Sequence, residues 1–273
     1  MISFCVTTYN TEESIDFFME SFAGFDLPFE IVVVDNMSKD RTVEILQGYA
    51  SKYTMKILRR KSTRGMGRRL CLEIAGFDYV VMLDADVRYH NLNYWMKRVM
   101  GDYKGKIVLI SGRQQGTNMT CGPKAIFEYI GGYPDLNFCE DAYVWRIAKK
   151  AGLFQDLGKV DGFADEFERE AAHLDKRTER RYEKNFLRLF WRRSIITRDI
   201  LVVERKTLRQ MLGYYNTQGR IAKVLQTTLL YCAARILLPF TKIPSPEEKL
   251  EMIEKNQAAC THPNNSPKTI ESR

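Results

Sequence analysis

Residues 79–87, which read YVVMLDADV, constrain the fold of this chain more than any other stretch. Five apolar residues in succession, most of them β-branched or aromatic, predict a fully buried strand. The strand delivers Asp84 and Asp86 at its carboxyl end, where two carboxylates one residue apart repel each other unless a positive charge lies between them. A hard divalent cation, Mn²⁺ or Mg²⁺, is a suitable partner because it takes oxygen ligands and can also hold phosphates. The alternative is an ordinary strand exit, since Asp is common in turns.

The first half of the chain alternates between predicted strands and predicted helices. Apolar runs predict further buried strands, and amphipathic segments between them predict helices. This alternation predicts an α/β fold with a mostly parallel sheet that carries helices on both faces. The predicted strands cover residues 2–8, 30–35, 55–58 and 107–111; the predicted helices cover the segment around Ile15 to Phe22, residues 41–53 and 92–103, and a stretch that follows a basic loop at 59–69 and ends near Gly76.

Polar and aromatic side chains follow several of these strands. Ligands bind beyond the carboxyl ends of the strands in such sheets, so Thr7, Tyr9, Asp35 and Arg64 are expected at the same edge as the Asp pair. Tyr9 offers an aromatic face for a base, Asp35 a carboxylate for a base or ribose, and Arg64 a cation for phosphate. Taken singly, each also fits a structural role in packing, a turn or a solvated loop. Together they predict a site for a nucleotide diphosphate.

Two glycines, Gly65 and Gly67, lie in the basic loop after the third predicted strand. A dinucleotide-binding fold carries its glycines after the first strand, which here ends in Thr-Thr-Tyr-Asn, and the chain has no Walker glycine-lysine loop. The two glycines are therefore interpreted as allowing the backbone to approach a phosphate closely at the start of a helix.

Cysteine usage and the amino terminus bear on the compartment. The six cysteines have no paired short spacing, which argues against a zinc site and against a disulfide framework. The chain enters an apolar stretch at once, with no basic segment before it and no cleavage site after it, so no signal peptide is expected. The cytoplasm, a reducing compartment, is the expected location.

The formal charge of +8 is concentrated in residues 176–209, where twelve Lys and Arg face four Asp and Glu. Tyr182, Phe186 and Phe190 share one face of a predicted helix in this segment, with basic residues on the others. A basic amphipathic helix of this kind can lie in a membrane interface, and it can equally pack on the preceding domain with a solvated basic face. The charge favours a polyanionic partner, either anionic lipid or nucleic acid.

A later apolar stretch, 221–240, is interrupted by Lys223 and Arg235. A spanning helix needs about 20 apolar residues, so peripheral attachment at the cytoplasmic face of a membrane is favoured over a transmembrane anchor. The expected organisation is a catalytic domain in residues 1–175, a basic and apolar helical region in 176–245 and a polar, partly disordered tail in 246–273 that contains one short helix at its start.

Six ordered motifs in the first 152 residues resemble those of the family 2 glycosyltransferases, which have the GT-A fold. The motifs are VTTYN (6–10), VVVDNMSKDRT (32–42), RGMGRRL (64–70), MLDADV (82–87), GGYPD (131–135) and CEDAYVWRI (139–147). The resemblance implies transfer of a sugar from a nucleotide diphosphate sugar, with inversion at the sugar carbon, to a glycan or lipid-linked acceptor. The signature Gln-x-x-Arg-Trp of processive synthases is absent, so one sugar per encounter is expected.

The same resemblance implies a role for each site residue. Asn36 stands where the family usually has a second acid, which weakens any role for that position. Thr7, Tyr9 and Asp35 would contact the base and ribose; Arg64 and Gly65 would face the diphosphate together with Asp84; Asp84 and Asp86 would hold the metal, with His173 as a further ligand; and Asp141 would be the general base beside Glu140. The Glu140–Asp141 pair also fits a capping role, since carboxylates are favoured at the start of a helix.

Two other functions remain open from the sequence. A basic nucleic-acid-binding protein would account for residues 176–209 but leaves Asp84, Asp86 and Asp141 unexplained, and the favoured interpretation has no nucleic acid partner. A sugar-phosphate nucleotidyltransferase shares the type of sheet, but the glycine-rich loop expected directly after its first strand is absent.

Overall fold

A computed structural model describes residues 1–113, 117–136, 140–167, 225, 232, 244 and 246–261. His173, the basic segment 176–209 and all but residues 225 and 232 of the apolar stretch 221–240 lie outside the described residues. In the ranges given above, no helix is both long enough and apolar enough to cross a membrane.

A seven-stranded sheet in the order β3-β2-β1-β4-β7-β6-β8 forms the centre of the protein. Strands β3, β2, β1 and β4 are parallel, and their carboxyl ends meet at one edge, as the alternation of strands and helices predicted. A separate two-stranded sheet pairs β5 with β9. The strands are β1 (Ile2–Thr8), β2 (Phe29–Asp35), β3 (Met55–Arg59), β4 (Tyr79–Asp84), β5 (Val87–Tyr89), β6 (Ile107–Gly112), β7 (Asn118–Pro123), β8 (Phe154–Val160) and β9 (Ala164–Glu166).

The mostly parallel α/β sheet is confirmed, and it contains two strands, β7 and β8, that were not predicted from the sequence. Strand β7 runs antiparallel to both of its neighbours and lies between β4 and β6. Its sequence, NMTCGP, lacks the apolar run that marked β1, β2 and β4. Gly122 allows the close crossing, because a Cβ at this position would lie 2.7 Å from the carbonyl oxygen of Lys106.

Hydrophobic residues fill both faces of the sheet. Adjacent strand residues point to opposite sides, so Phe4 and Val81 belong to one cluster whereas Cys5 and Val80 belong to the other. Because both sides are covered, the central strands read as continuous apolar runs. The helices are α1 (Glu12–Met19), α2 (Thr42–Tyr49), α3 (Arg64–Ile74), α4 (Leu92–Asp102), α5 (Lys124–Tyr129), α6 (Glu140–Lys150) and the C-terminal helix (Pro246–Thr261).

Helix α3 begins earlier than the sequence analysis predicted. Thr63 caps it by accepting a hydrogen bond from the backbone N–H of Met66 at 3.1 Å. The basic loop therefore ends at Thr63, not at Arg69, and the glycines at 65 and 67 are helical. Arg64 and Arg68 consequently lie one helical turn apart.

The C-terminal helix packs against α6. The hydroxyl of Tyr143 in α6 donates to the carbonyl oxygen of Pro244 at 2.9 Å, just before the C-terminal helix begins. A helix was expected after residue 246, and it extends through Thr261. The described end of the chain thus lies on the helix that opens with Glu140 and Asp141.

Candidate active site

The ends of β1 and β2 are joined through the buried carboxylate of Asp35. Its Oδ1 accepts from the hydroxyl of Thr8 at 3.0 Å and from the hydroxyl of Ser38, and its Oδ2 accepts from the backbone N–H of Ser38 at 2.9 Å. Arg59 Nε lies 3.6 Å from the same Oδ2. Both carboxylate oxygens of Asp35 therefore accept hydrogen bonds from within the protein, and these bonds hold the edge of the sheet in place.

Tyr9 and Asn36 lie on the rim above that carboxylate. Tyr9 is 48% exposed, so its ring is open to a partner from solution. Asn36 accepts a hydrogen bond from the backbone N–H of Ser62 at 2.8 Å and donates its own N–H to the carbonyl of Thr8 at 2.9 Å. The side-chain amide oxygen of Asn36 thus anchors the segment that leads into α3. The family that the motifs resemble usually has an acid at this position.

Two arginines of α3 converge on a single oxygen of Asp84. Arg64 Nη2 lies 2.7 Å and Arg68 Nη2 lies 3.0 Å from Asp84 Oδ1. The side chain of Asp84 is 14% exposed, that of Arg68 5% and that of Arg64 26%, so the pair with Arg68 is shielded from water and the pair with Arg64 is partly exposed. Arg64 was predicted from the sequence but Arg68 was not; its spacing of four residues from Arg64 places it on the same face of a helix that starts at 64.

The same arginines reach the opening of α6. Arg64 Nε lies 3.5 Å and Arg68 Nη1 lies 3.8 Å from Glu140 Oε1, and Arg68 Nη1 also contacts Asp141 Oδ1. Glu140 is 1% exposed, whereas the side chain of Asp141 is 22% exposed and faces the site. Burial alone would lower the pKa of Arg64, but the carboxylates of Asp84 and Glu140 raise it above its usual value. Arg68 thus connects the end of β4 with the start of α6.

Tyr89 holds the turn that follows Asp84. Its buried hydroxyl accepts from the backbone N–H of Asp84 at 3.0 Å and donates to the carbonyl of Asn118 at 2.9 Å. Burial, and then the neighbouring charge of Asp84, raise the pKa of Tyr89 well above its usual value, so the hydroxyl keeps its proton at neutral pH. Tyr89 was not predicted as a site residue, because the sequence pattern of an aromatic residue after a turn is typical of ordinary packing.

Asp86 is fixed through its main chain. Its carbonyl accepts from the backbone N–H of Phe167 at 2.8 Å, beside the pairing of β5 with β9. In β5, Arg88 contacts Asp165 of β9 at 3.2 Å and Glu20 at 2.7 Å. This small sheet therefore sets the position of the second carboxylate of the Asp-Ala-Asp turn.

The two glycines of α3 face protein atoms. A Cβ at Gly65 would lie 1.9 Å from the carbonyl oxygen of Pro134, and one at Gly67 would lie 2.8 Å from Cγ2 of Thr7. The N–H of Gly65 donates to the carbonyl of Leu136 at 2.7 Å. The close approach that the sequence assigned to a phosphate is thus made, at both glycines, to the chain itself, and this contact seats α3 against β1 and the 134–136 segment.

The oxygen ligands that side chains offer at this edge of the sheet fit a hard divalent cation. Asp84 and Asp86 supply carboxylate oxygens, the ligand type that Mn²⁺ and Mg²⁺ prefer. Among the described residues no group of three or more His, Cys, Asp or Glu side chains is arranged to hold a metal ion, so the remaining ligands would come from a bound diphosphate, water or the rest of the chain. His173, the third predicted ligand, lies outside the described residues, six positions after Phe167.

The sequence of this chain is similar to those of several known proteins. Residues 3–104 match the family model described as Glycosyl transferase family 2. A dolichol-phosphate mannosyltransferase of Pyrococcus furiosus is 37% identical over 98 residues, and the poly(ribitol-phosphate) beta-N-acetylglucosaminyltransferase TarS of Staphylococcus aureus is 34% identical over 159 residues. These matches cover 32% and 54% of this chain, and 26% of each relative, so the chain spans about a quarter of the length of these relatives.

Solved structures show the same fold. TarS 1–349 of S. aureus in complex with UDP-GlcNAc superposes with a TM-score of 0.54 at 23% identity, covering 68% of this chain and 64% of that one. The mannosyltransferase PcManGT of Pyrobaculum calidifontis, in complex with GDP-Man and Mn²⁺, superposes with a TM-score of 0.52 at 14% identity, covering 96% and 76%. The motif order, the family match over residues 3–104 and the shared sheet agree: this part of the chain is similar to glycosyl transferase family 2, and the sheet has the GT-A fold of these solved structures.

Proposed function

We propose that this protein is a glycosyltransferase that moves a sugar from a nucleotide diphosphate sugar to an acceptor hydroxyl or phosphate. One observation carries the proposal: Arg68 contacts both Asp84, at the end of β4, and Asp141, at the start of α6. Fifty-seven positions separate the two acids in the chain (141 minus 84), and the fold brings them to one guanidinium group. A site that gathers carboxylates around shielded arginines suits a reaction in which a diphosphate departs.

The donor would lie across the carboxyl edge of the sheet. Tyr9, exposed on the rim, would pack on the base, and Thr7 and Asp35 would shape the base and ribose pocket. Because Asp35 is buried and bonded to Thr8 and Ser38, we assign it mainly to holding that pocket in place. Arg64 and Arg68 would turn to the diphosphate, since guanidinium groups bind phosphate oxygens strongly. Relatives solved with UDP-GlcNAc and with GDP-Man support a nucleotide diphosphate sugar as donor.

A divalent cation would be held by Asp84 and Asp86, and His173 is its further proposed ligand. When bound, the cation supplies positive charge that stabilises the departing diphosphate. The relative solved with GDP-Man contains Mn²⁺, which supports manganese as the first cation to test. The chain's own contribution is to aim the two carboxylates, through Tyr89 behind Asp84 and through Phe167 on the carbonyl of Asp86.

Asp141 would act as the general base and remove the proton of the acceptor hydroxyl. The acceptor oxygen then bonds to the anomeric carbon of the sugar while the bond from that carbon to the diphosphate breaks. A single base on the acceptor side gives inversion at that carbon. Glu140, which is 1% exposed and lies against both arginines, would hold Arg64 and Arg68 in place and leave the proton transfer to Asp141.

The acceptor is proposed to be lipid-linked or close to the cytoplasmic face of a membrane. The basic segment 176–209 and the apolar stretch 221–240 motivate this assignment. Relatives named for dolichol phosphate and for poly(ribitol phosphate) support an acceptor that is lipid-linked or rich in phosphate.

A donor panel tests the proposed function. Purified protein is incubated with UDP- and GDP-sugars, with Mn²⁺, Mg²⁺ or chelator, and release of the nucleoside diphosphate is measured. We expect release from one donor that depends on a cation and is lost in Asp86→Ala, with the variant still folded by circular dichroism. Full activity in chelator would contradict the cation, and no binding or turnover of any donor would contradict the transferase assignment.

A further inference from the structure

The arginine pair on Asp84 has a consequence for the cation. Both guanidinium groups contact one oxygen of a side chain that is 14% exposed, so Asp84 is already neutralised by the protein's own charges. A cation arriving alone at Asp84 would lie close to Arg64 and Arg68 and would be repelled by both. It would also have to replace the ion pair with Arg68, which is shielded from water and is therefore screened by salt less than a pair on an open surface.

A bound diphosphate changes this balance. Arg64, Arg68 and the four carboxylates at positions 84, 86, 140 and 141 carry a formal charge of −2, from two positive and four negative groups. A nucleoside diphosphate brings further negative charge that the arginines can contact bidentately. Once the arginines turn to the phosphates, the oxygens of Asp84 are released to the cation, and the cation in turn neutralises the added charge.

We infer that Arg64 and Arg68 gate the cation site: without a nucleotide they occupy Asp84 and exclude the divalent cation, and the diphosphate of the donor draws them away and admits it. The inference rests on the proposed cation site at Asp84 and Asp86. It assigns the two arginines a role beyond holding phosphate, because they make cation and donor bind cooperatively. Reciprocity then requires that the cation tighten nucleotide binding by the same factor.

Binding of Mn²⁺, measured from the electron paramagnetic resonance signal of the free ion and corrected for the Mn²⁺ that the nucleotide binds without protein, tests the gate without turnover. Wild-type protein should bind Mn²⁺ weakly alone and more tightly with UDP or GDP, within the roughly 5- to 150-fold range of coupled sites. Arg64→Gln should tighten binding of Mn²⁺ alone by about 2- to 5-fold, the scale of one partly exposed ion pair. The gain from adding nucleotide should shrink in the same variant.

Two further variants sharpen the measurement. Arg68→Gln should act in the same direction and more strongly, because that side chain is 5% exposed, and thermal unfolding reports whether it remains folded. Arg69→Gln is the matched control on the same helix: it removes the same charge, but Arg69 donates to the carbonyl of Gly131 at 2.8 Å. Binding of Mn²⁺ to Arg69→Gln should equal that of the wild type, with and without nucleotide.

The outcomes separate this inference from the proposed function. If Mn²⁺ binds with nucleotide but Arg64→Gln binds the ion alone no better than wild type or Arg69→Gln, the gate is overturned and the cation site stands. If Arg64→Gln and Arg69→Gln tighten binding equally, the effect is general charge and the gate is again wrong. If no variant binds Mn²⁺ with either nucleotide, the proposed cation site fails, and the gate fails with it.

Discussion

Gly65 and Pro134 lie so close that no other residue fits at position 65: an added Cβ would be 1.9 Å from the carbonyl oxygen of Pro134. The N–H of Gly65 also donates to the carbonyl of Leu136 at 2.7 Å. This contact presses the first turn of α3, which begins with Arg64 and is followed directly by Arg68, against the segment before Glu140. Small changes here should therefore be transmitted to the arginine pair.

Replacement of this glycine by alanine tests the contact. Gly65→Ala should lower the free energy of unfolding by about 1–3 kcal/mol or more, because the obstructing atom belongs to the backbone and cannot rotate away. The affinity for the sugar donor should fall as well, because the added methyl group would displace the 134–136 segment, and that segment leads into α6. Unfolding in urea and titration with nucleoside diphosphate measure the two effects.

Gly48 provides the control within α2. A Cβ there would meet nothing within 4 Å, so Gly48→Ala should leave donor affinity unchanged and raise stability by up to about 1 kcal/mol through helix propensity. Equal stability of the two variants would mean that the packing at Gly65 is looser than described.

The sequence predicted the parallel half of the fold because burial on both faces leaves a direct signature. The apolar run before Asp84 is such a case, and its strand end is where the sequence put it. Arg68 was missed because a helix start depends on one capping residue, Thr63, inside a segment whose composition suggested a loop. Strand β7 was missed because its sequence lacks an apolar run and because one of its two pairing partners, β4, is distant in sequence.

The free energy of unfolding at acid pH should depend on Glu30, which lies at the opposite end of β2 from the site. Glu30 is 3% exposed, its carboxylate accepts from the hydroxyl of Ser3 at 2.7 Å, and Lys56 Nζ lies 2.9 Å from the carboxylate. Burial alone would raise the pKa of Glu30, but hydrogen bonds from Lys56, Ser3 and the N–H of Gly76 lower it below its usual value. A lowered folded-state pKa stabilises the protein above the unfolded-state pKa of about 4.3, and this contribution is lost as the pH falls through the folded-state value.

Glu30→Gln should therefore be less stable than wild type by about 1–3 kcal/mol at pH 7, and the difference should shrink below about pH 4. The free energy of unfolding measured from pH 3 to 8 gives the profile. Glu44→Gln, which removes an exposed carboxylate paired with Arg41, should follow the wild-type profile throughout. A constant deficit of Glu30→Gln at every pH would show that the effect comes from packing and not from ionisation.

Asp141→Asn separates catalysis from binding. The amide keeps the shape of the side chain and can still accept from Arg68, but it cannot take a proton. Transfer should fall by about 10²- to 10⁴-fold while the affinity for nucleoside diphosphate stays within a few-fold of wild type. Single-turnover transfer and nucleotide titration measure these quantities. A parallel loss of both would assign Asp141 to the donor site or to the support of Arg68.

Residues 176–209 should attach the protein to anionic membranes. The segment holds twelve Lys and Arg against four Asp and Glu, and each basic residue near an anionic surface contributes about 1 kcal/mol. Co-sedimentation with anionic vesicles should therefore be lost when Arg181, Lys184 and Arg188 are changed to Glu, and high salt should have the same effect.

A matched control reverses three exposed lysines of the described domain, Lys52, Lys104 and Lys149, and should leave sedimentation largely unchanged although the net charge is the same. Deleting residues 221–240 should weaken attachment further if that stretch inserts between lipids. The opposing model, a helix packed on the catalytic domain, expects no change in sedimentation on charge reversal and unfolding on deletion. Equal recovery in the supernatant with anionic and neutral vesicles at all salt concentrations would exclude membrane attachment, because an interaction carried by these basic residues must respond to both lipid charge and ionic strength.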